Sequence, residues 1–526
     1  MTRQTLLKGS LWLVLSAGSA AVHADEDLRM YLEGLRAGAP AIIAGQKLQS
    51  PEAVTAFYLD NTHQPIWVGG GALDAQREAL FNAIEKSQAH GFLATRYHAS
   101  YLVAQGEMAQ PGYVTEILAT DAFLTQARHR ADGVVSPASL DPDWHLVDAE
   151  HDVVEDLRQL VQHSGDVASY LEGLWPANED YRLLVEERQR ILSLTVTQTT
   201  PVSSGSLLKL GSQGPRVLEL KQRLLGPDEY TNLFDEALDR AVRIFQISAN
   251  LEPDGLVGPA TLAVLNATQV DWVDRIDANL ERWRWLPQEI PEDYIKVNIA
   301  AFELKAIQRG VEEIAMRVVV GRPFRQTPVF VEDMRYFVLN PFWNVPFKLA
   351  TQDKLPKLKT NPEELAQQGY QVRRAGEEFF MDVTSVDWSD VTRRNFNYLL
   401  RQRPGPNNAL GRIKFMMPNK FAIYLHDTND HSLFARTERG FSSGCIRLSQ
   451  AEHLASWLLH RESRIEDAAN LAAQLAEGKT RTINLRMPLP VYIVYFTAFK
   501  SAGTEISFRR DIYQRDEKIV NALRQD

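Results

Sequence analysis

The chain has 526 residues, which is too long for one ordinary domain and indicates about three. Its hydrophobic fraction of 44% and charged fraction of 24% are those of a globular protein. The net charge of −10, with no lysine- and arginine-rich run to override it, argues against a nucleic-acid partner.

The N-terminus has the pattern of a secretory signal. Arg3 and Lys8 precede a short apolar run over residues 11–21, and Val22-His23-Ala24 places small residues two apart. We therefore predict a signal peptide over residues 1–24 that is cleaved before Asp25. The apolar run is too short to span a bilayer comfortably, and no other run approaches a span, so we expect no stable membrane span after its removal.

Residues 25–200 are predicted to form a helical scaffold domain. Apolar positions recur at helical spacing over 28–35, 75–87, 113–130 and 153–164. Gly69-Gly70-Gly71 and Ser136-Pro137 separate these helices. No acid–base pair stands out here, and four scattered histidines are interpreted as surface or capping residues, namely His90, His98, His129 and His163.

A Ser/Thr/Pro/Gly run over 195–205 is typical of a linker, and residues 201–268 follow with a pattern of their own. Gly turns at Gly211, Gly214 and Asp254-Gly255, together with Gly258-Pro259, separate three short helices. The segment resembles the three-helix peptidoglycan-binding module. That resemblance implies contact with the cell wall, although the module could also be only structural, since a fold does not establish a ligand.

Residues 269–290 are predicted to form a linker helix, and the hydrophobic period changes to two after Tyr294. Strands are predicted at 295–299, 317–320, 336–340, 413–416, 421–425 and 489–497, within a β-rich domain over 291–500. A polar, partly helical insertion over about 350–411 interrupts them and is interpreted as a lid. Residues 501–526 are a C-terminal tail. The fold class is thus multidomain α+β.

Cys445 is the single cysteine, so it forms no internal disulfide and is either an inert buried thiol or a reactive one. It follows Ser442-Ser443-Gly444, where the missing side chain of Gly444 lets a substrate approach and backbone N–H groups can receive an oxyanion. His426, at the end of a predicted strand, is the first candidate for the base that activates the thiol, and His431 is the second. Arg447 could steady a thiolate or hold a substrate carboxylate.

A metal site built from His426, Asp427, Asp430 and His431 is conceivable, but no second cluster completes it. We therefore expect neither a metal nor a cofactor.

The stretch from His426 to Arg447 resembles the active-site signature of the L,D-transpeptidases with a YkuD-type catalytic domain. The signature has a histidine at a strand end, then Ser/Thr-His-Gly-Cys, an apolar residue and Arg. Here Ser443 stands where many members carry a second histidine. Gly321 and Thr327-Pro328 also fit the early strands, and the whole domain order is similar to that of the large periplasmic enzymes of Gram-negative bacteria.

The resemblance implies a periplasmic enzyme that acts on peptidoglycan stem peptides and glycan. Cys445 would attack the bond between diaminopimelate and D-alanine, with His426 as general base and acid, and a second diaminopimelate amine would resolve the thioester into a crosslink. Gly444, Ser443, Arg447, Tyr424 and Trp343 are the candidate oxyanion and substrate contacts. Acylation of Cys445 by carbapenems is implied as well. Two alternatives stay open: an L,D-carboxypeptidase or hydrolase, and a non-catalytic wall-binding scaffold.

Overall fold

A computed structural model of the chain describes residues 26–61, 63–106, 112–146, 151–195, 200–501 and 503–525. The predicted signal peptide and its cleavage site lie outside these ranges. None of the helices in the described ranges combines the length and the apolar composition that a membrane span requires.

The N-terminal region is helical, as its periodicity predicts. Helix α1 covers residues 26–36, and a two-stranded hairpin follows it, with β1 at Ile42–Ile43 and β2 at Gln46–Lys47. The remaining helices are α2 (Pro51–Asp60), α3 (Ala72–Ser87), α4 (Ala99–Gly106), α5 (Tyr113–Asp132), α6 (Pro137–Leu140), α7 (Val153–Gln162), α8 (Val167–Gly173) and α9 (Glu179–Ser193). Helix α5 is buried on nearly all sides, because the other helices pack around it.

Polar groups inside this region fix its loops. The buried Glu116 carboxylate accepts the N–H groups of Ile66, Trp67 and Val68, and burial raises its pKa to about 7. His98, one of the histidines interpreted as surface or capping residues, follows the 3₁₀ helix Ala94–Tyr97 as its C-cap, and its side chain is buried and lies 2.7 Å from the Asp121 carboxylate. Sequence periodicity shows which face of a helix is apolar but does not show which polar groups are paired inside.

The module and the linker helix follow in the predicted places. Helices α10 (Pro215–Leu225), α11 (Glu236–Ser248) and α12 (Pro259–Leu265) enclose a separate small core around Val217, Phe234 and Val242. Helix α13 (Gln269–Arg284) starts at Thr268 with reciprocal side-chain and backbone hydrogen bonds to Asp271, which is a capping box.

The C-terminal half contains a nine-stranded sheet. Its strands are β3 (Tyr294–Asn298), β4 (Glu303–Gln308), β5 (Val311–Gly321), β6 (Phe330–Leu339), β11 (Ile413–Met416), β12 (Leu425–His426), β13 (Gly440–Ser442), β14 (Ile446–Leu448) and β15 (Arg481–Val494). The order is β13-β5-β14-β12-β11-β6-β15-β3-β4, and an additional pairing of β4 with β5 closes the sheet on itself. Helices α17 (Ala451–Arg461) and α18 (Ile465–Ala476) precede β15.

The prediction of a strand over 421–425 is wrong except at its last residue. Asn419 holds the preceding backbone in a turn, since its side-chain oxygen accepts the N–H groups of Phe421 and Ile423. Ala422 has a φ of +56°, which an extended strand does not allow. Regular pairing therefore begins only at Leu425, and His426 is the last residue of β12, as expected.

The insertion between the strands is a subdomain with its own core. It contains α14 (Phe347–Leu349), a π-helical turn (Ala350–Lys354), α15 (Leu355–Thr360) and α16 (Pro362–Gln367). It also contains strands that periodicity did not predict. Strands β7 (Trp343–Asn344), β8 (Tyr370–Arg374), β9 (Met381–Asp382) and β10 (Tyr398–Gln402) form a sheet of order β7-β10-β8-β9. Tyr424, the residue immediately before β12, packs against this core.

The C-terminal segment is docked on the body. It forms a hairpin of β16 (Ala498–Phe499) with β17 (Ser507–Phe508), and ends with α19 (Asp516–Leu523). The fully buried Arg282 of α13 lies 2.6 Å from the Asp516 carboxylate. Apolar side chains of the N-terminal helices, α13 and the main sheet belong to one continuous core, so these parts share their stability.

Candidate active site

Three neighbouring strands place the candidate residues on one face of the main sheet. Strand β12 pairs His426 with Lys414 of β11 on one side and with Arg447 of β14 on the other. Residues directly opposite each other in a sheet share a face, and so do residues two apart in one strand. Cys445 is the residue immediately before β14, and Tyr424 is the residue immediately before β12. The N–H of Ile446 donates to the carbonyl of Tyr424 at 3.2 Å, so the two chain segments run side by side up to the strands and place Cys445 at the end of the row.

His426 is held as a neutral ring with one defined hydrogen bond. Its side chain is buried, and its Nδ1 faces the backbone carbonyl of Asp427. A carbonyl only accepts, so Nδ1 carries the proton and Nε2 presents a lone pair. Burial lowers the pKa of His426 to about 3, and the positive charges of Arg447 and Lys414 act in the same direction. The ring is consequently uncharged at neutral pH and is able to accept a proton.

Cys445 is a partly exposed thiol whose Sγ lies 3.9 Å from the carbonyl oxygen of Ala422. Burial raises the pKa of Cys445, and this rise is opposed by hydrogen bonding to Tyr424 and by the charges of Lys414 and Arg447. The thiol is therefore protonated in the resting site. The thiol and the imidazole are thus both neutral at neutral pH. A thiol becomes a strong nucleophile only after it has lost its proton.

A network of short hydrogen bonds fixes the turn before Cys445. Ser442 Oγ accepts the N–H of Gly444 at 3.1 Å and donates to the carbonyl of Cys445 at 2.6 Å. Thr327 Oγ1 donates to the carbonyl of Gly444 at 2.7 Å and accepts the N–H of Gly321 at 2.9 Å. Gly444 has a φ of +119°, a region that side chains disfavour. The turn is thus rigid before any substrate arrives.

Two cations face the thiol. The Nε of Arg447 is buried and has no hydrogen-bond partner among the described residues. Lys414 is half-buried, its Nζ lies 4.0 Å from the centre of the Tyr424 ring, and burial lowers its pKa. Sequence reasoning singled out Arg447 but missed Lys414. Lys414 could have been found only from its pairing with His426, which depends on the register between β11 and β12. No sequence motif shows that register.

Ser443 contacts the insertion through Arg325. It stands at the position where many L,D-transpeptidases carry a second histidine. The Arg325 guanidinium donates to Ser443 Oγ at 3.0 Å and forms a two-pronged ion pair with Asp353, at 2.7 and 2.9 Å. It also reaches the Gln352 side chain at 3.2 Å. Arg325 lies in the loop between β5 and β6 and was not predicted. It links the nucleophile turn to the π-helical turn of the insertion.

The aromatic candidates border the site from the insertion side. Trp343 is buried in the insertion core, where the Lys354 ammonium lies 5.6 Å from its ring. Tyr424 lies between that core and the thiol, with its ring centre 5.6 Å from that of His426. Burial raises the pKa of Tyr424, so its hydroxyl stays protonated.

His431 lies away from this row. Its side chain is 57% exposed on a short helical turn, with Nε2 3.5 Å from the Asp427 carboxylate. Within the described ranges, no group of three or more histidine, cysteine or acidic side chains is arranged to hold a metal ion.

Three family models match the chain in succession. The scaffold domain model matches residues 52–187, the "Putative peptidoglycan binding domain" model matches residues 213–265, and the L,D-transpeptidase catalytic domain (YkuD) model matches residues 292–493. The last match includes the whole row of Lys414, His426, Cys445 and Arg447.

Known proteins agree with this assignment over part of the chain. A curated protein of Haemophilus influenzae named "Putative L,D-transpeptidase" is 36% identical over 245 residues, covering 47% of this chain. The chain spans about half the length of that relative, 48%.

Two solved structures were also found. The L,D-transpeptidase (residues 123–326) of Xylanimonas cellulosilytica is 16% identical, with a TM-score of 0.18, and the match covers 56% of this chain and 99% of that one. A fused Zn-dependent amidase/peptidase/peptidoglycan-binding protein of Clostridium acetobutylicum is 13% identical, with a TM-score of 0.16, covering 55% and 100%. Scores this low carry no structural argument. In the order of the chain, residues 52–187 thus match a scaffold domain model, residues 213–265 a peptidoglycan-binding domain model, and residues 292–493 the L,D-transpeptidase catalytic domain model.

Proposed function

We propose that the protein is a peptidoglycan L,D-transpeptidase that crosslinks stem peptides through a thioester on Cys445. The observation that carries the proposal is the row of Lys414, His426 and Arg447 beside Cys445 on adjacent strands of a matched catalytic domain. A single thiol, a neutral imidazole and two cations are the parts that cysteine-dependent acyl transfer requires.

In the first half-reaction, Cys445 Sγ attacks the carbonyl carbon that joins diaminopimelate to the terminal D-alanine. His426 Nε2 takes the thiol proton as the S–C bond forms, because both groups are neutral at rest. The tetrahedral intermediate collapses with cleavage of the C–N bond. The proton on His426 passes to the departing amine, so D-alanine leaves and a thioester remains.

In the second half-reaction, the side-chain amine of another stem's diaminopimelate attacks the thioester carbonyl. His426 accepts a proton from that amine and returns it to the sulfur as the C–S bond breaks. The product is an amide between two diaminopimelate residues, and Cys445 is a thiol again. The Nδ1–H bond to the Asp427 carbonyl keeps the ring in the tautomer that both steps need.

The oxyanion is assigned to the backbone N–H of Cys445. The N–H of Gly444 already donates to Ser442 Oγ, whereas no bond of the Cys445 N–H is found among the described residues. Arg447 and Lys414 offer positive charge to the carboxylates of a stem peptide. Trp343 and Tyr424 form the wall on the insertion side, and Ser443 acts through Arg325 on the turn.

The substrate and the location follow from the same reasoning. The peptidoglycan-binding domain and the catalytic domain support a cell-envelope location, and the predicted signal peptide specifies the periplasm. The stem peptides and the glycan are the proposed partners, and the mechanism uses no cofactor.

The product assay is the test. The full chain is incubated with purified disaccharide-tetrapeptide, and the products are separated by mass. Crosslinked dimers with released D-alanine are expected from the wild type, and neither from Cys445→Ala. His431→Ala serves as the matched control for His426→Ala, since it removes a nearby imidazole that lies outside the row.

The alternatives predict different products. Shortened monomers without dimers would replace the proposal by an L,D-carboxypeptidase or hydrolase, in which water resolves the thioester. No product and no mass adduct on Cys445 after exposure to a carbapenem would support the non-catalytic wall-binding scaffold instead.

A further inference from the structure

The insertion has a second face that the proposed reaction does not use. In its sheet, Trp343, Tyr370 and Leu400 point into the insertion core, so the alternate residues of the same strands point outward. We call this outward surface the arginine–phenylalanine face. It includes Phe342, Arg373, Phe380, Leu399, Arg401 and Arg403, and the same side of the sheet also carries Asn344, Gln371 and Asp382.

Arg401 is the centre of this face. Its guanidinium lies 3.6 Å from the ring centre of Phe380 and 4.5 Å from that of Phe342, so two aromatic rings hold it in place. Its Nε donates to the Gln371 side chain at 3.1 Å. The other two nitrogens have no partner among the described residues, and the planar fork they form matches a carboxylate.

The charge of the face is unbalanced. In the described part of the chain, no ion pair joins Arg373, Arg401 or Arg403 to a carboxylate, although Arg373 donates to the backbone carbonyl of Glu377 at 2.9 Å. Asp382 is the acidic residue beside them, and its carboxylate already accepts the N–H and the hydroxyl of Thr384. The like charges of Arg373 and Arg403, together with burial, lower the pKa of Arg401. An anionic ligand would relieve this repulsion.

Apolar surface adjoins the arginines. Leu399 is 48% exposed, Phe342 is 37% exposed, and Phe379, next to Phe380, is 77% exposed. Large exposed aromatic side chains next to unpaired arginines are typical of interaction surfaces. The combination suits a ligand that carries both carboxylates and flat apolar surfaces.

We propose that the arginine–phenylalanine face binds a peptidoglycan strand, with stem-peptide carboxylates on Arg373 and Arg401 and sugar rings against Phe342 and Phe379. The inference rests on the proposed function for the choice of polymer. Trp343 points to the opposite side of the insertion sheet, so the face is distinct from the candidate substrate contacts near Cys445. It is also separate from residues 213–265, which match the peptidoglycan-binding domain. The enzyme would thus grip its polymeric substrate at a surface outside the row of Lys414, His426, Cys445 and Arg447.

The test measures binding of the full chain, as Cys445→Ala, to purified peptidoglycan sacculi by co-sedimentation. Replacing both arginines (Arg373→Ala with Arg401→Ala) should weaken binding about tenfold, because two charge-assisted contacts are lost. The matched control is Arg393→Ala with Arg394→Ala, which removes two exposed arginines from a loop of the same insertion and leaves the face intact. Binding should also weaken as salt rises and after the carboxylates of the sacculi are amidated.

Three outcomes would overturn the proposal. The first is equal binding by the two double variants, and the second is unchanged binding to amidated sacculi. The third is a combined result: the Arg373/Arg401 variant loses its helical circular dichroism together with its binding, while a Phe379→Ala variant with an intact fold binds sacculi normally. If the face binds an acidic protein instead, the two double variants should bind sacculi equally.

Activity separates this inference from the proposed function. With Cys445 intact, the Arg373/Arg401 variant should process soluble disaccharide-tetrapeptide at the wild-type rate and lose activity only on sacculi. Absence of all product from the wild type would refute the proposed function, whereas equal loss on both substrates would refute a role restricted to the polymer.

Discussion

Removing the ion pair between Arg325 and Asp353 should loosen the insertion from the nucleophile turn. The perturbation is Arg325→Gln and Asp353→Asn, singly and together, since each keeps the approximate shape of the side chain and removes its charge. The pair is two-pronged, and Arg325 also donates to Ser443. The Arg325 charge lowers the pKa of Asp353, so the contact is present at neutral pH and is lost as pH falls through that lowered value.

The size of the effect follows from exposure. Arg325 is 14% exposed and Asp353 is 40% exposed, so solvent screens the pair and it is worth less than a buried one. We expect a coupling energy of about 1 kcal/mol, the upper end for surface pairs, because the geometry is bidentate. That energy corresponds to about a fivefold shift in the equilibrium between docked and undocked insertion.

Hydrogen exchange and thiol alkylation measure that shift. Amides of residues 350–360 should exchange about fivefold faster in either single variant, and the double variant should be no faster than the singles. The alkylation rate of Cys445 should rise in parallel. The control is the Arg412–Glu452 pair, with 2.6 Å between its atoms, which does not involve Asp353 or Ser443. Additive effects of the two single changes, or an equal response to breaking the control pair, would refute the reasoning.

Further predictions concern histidines and one glycine. Burial lowers the pKa of three histidines to about 3, namely His90, His129 and His426. The unfolded chain takes up protons near pH 6.5 that the folded chain does not, so each histidine should cost about 2 kcal/mol of stability between pH 7 and pH 5. Glu116, whose pKa is raised to about 7, acts in the opposite direction, as do Asp277, Glu281 and Asp516, whose pKa values are raised by burial. The contribution of one histidine is therefore measured by comparison with a variant. In denaturant titration, His129→Gln should lose about 2 kcal/mol less than the wild type between pH 7 and pH 5, and equal losses would contradict this. His431→Ala should leave kcat within about twofold, since the ring is exposed and outside the row. Gly411→Ala should lower both Tm and the rate of acylation of Cys445. The φ of Gly411 is +63°, and the new Cβ would lie 2.4 Å from Asp427 Oδ2, close to the Asp427 carbonyl that orients the His426 ring. An unchanged acylation rate would show that Asp427 does not position the His426 ring.

The parts that sequence predicted well are those with local signals. Helical periodicity located α3, α5 and α13 to within a few residues, and the glycine turns located the three-helix module. Cys445 stood out because it is unique, and its flanking residues have a recognisable order. These signals lie within short stretches of chain, where spacing alone determines which side chains meet.

The parts that sequence could not predict depend on long-range register. Lys414 joins the row only because β11 pairs with β12 at that residue, and Arg325 reaches Asp353 only because the insertion packs on the turn. The strand predicted over 421–425 failed because Ala422 takes a positive φ stabilised by Asn419, which propensity does not reveal. The strands of the insertion were missed because they are only two to five residues long, and their outward positions mix phenylalanine and leucine with arginine, so apolar and polar residues do not alternate.

The protonation states suggest why substrate binding should trigger the chemistry. At rest the thiol is protonated, since burial outweighs the two nearby cations, and the imidazole is neutral, since burial and the same cations all lower its pKa. An ion pair of thiolate and imidazolium would react with any electrophile that entered. A neutral pair reacts only when an acyl carbonyl is held close enough for proton transfer and attack to occur together. A stem-peptide carboxylate on Lys414 and Arg447 would also remove part of the positive charge that lowers the pKa of His426, which makes the base stronger at the moment the substrate is in place.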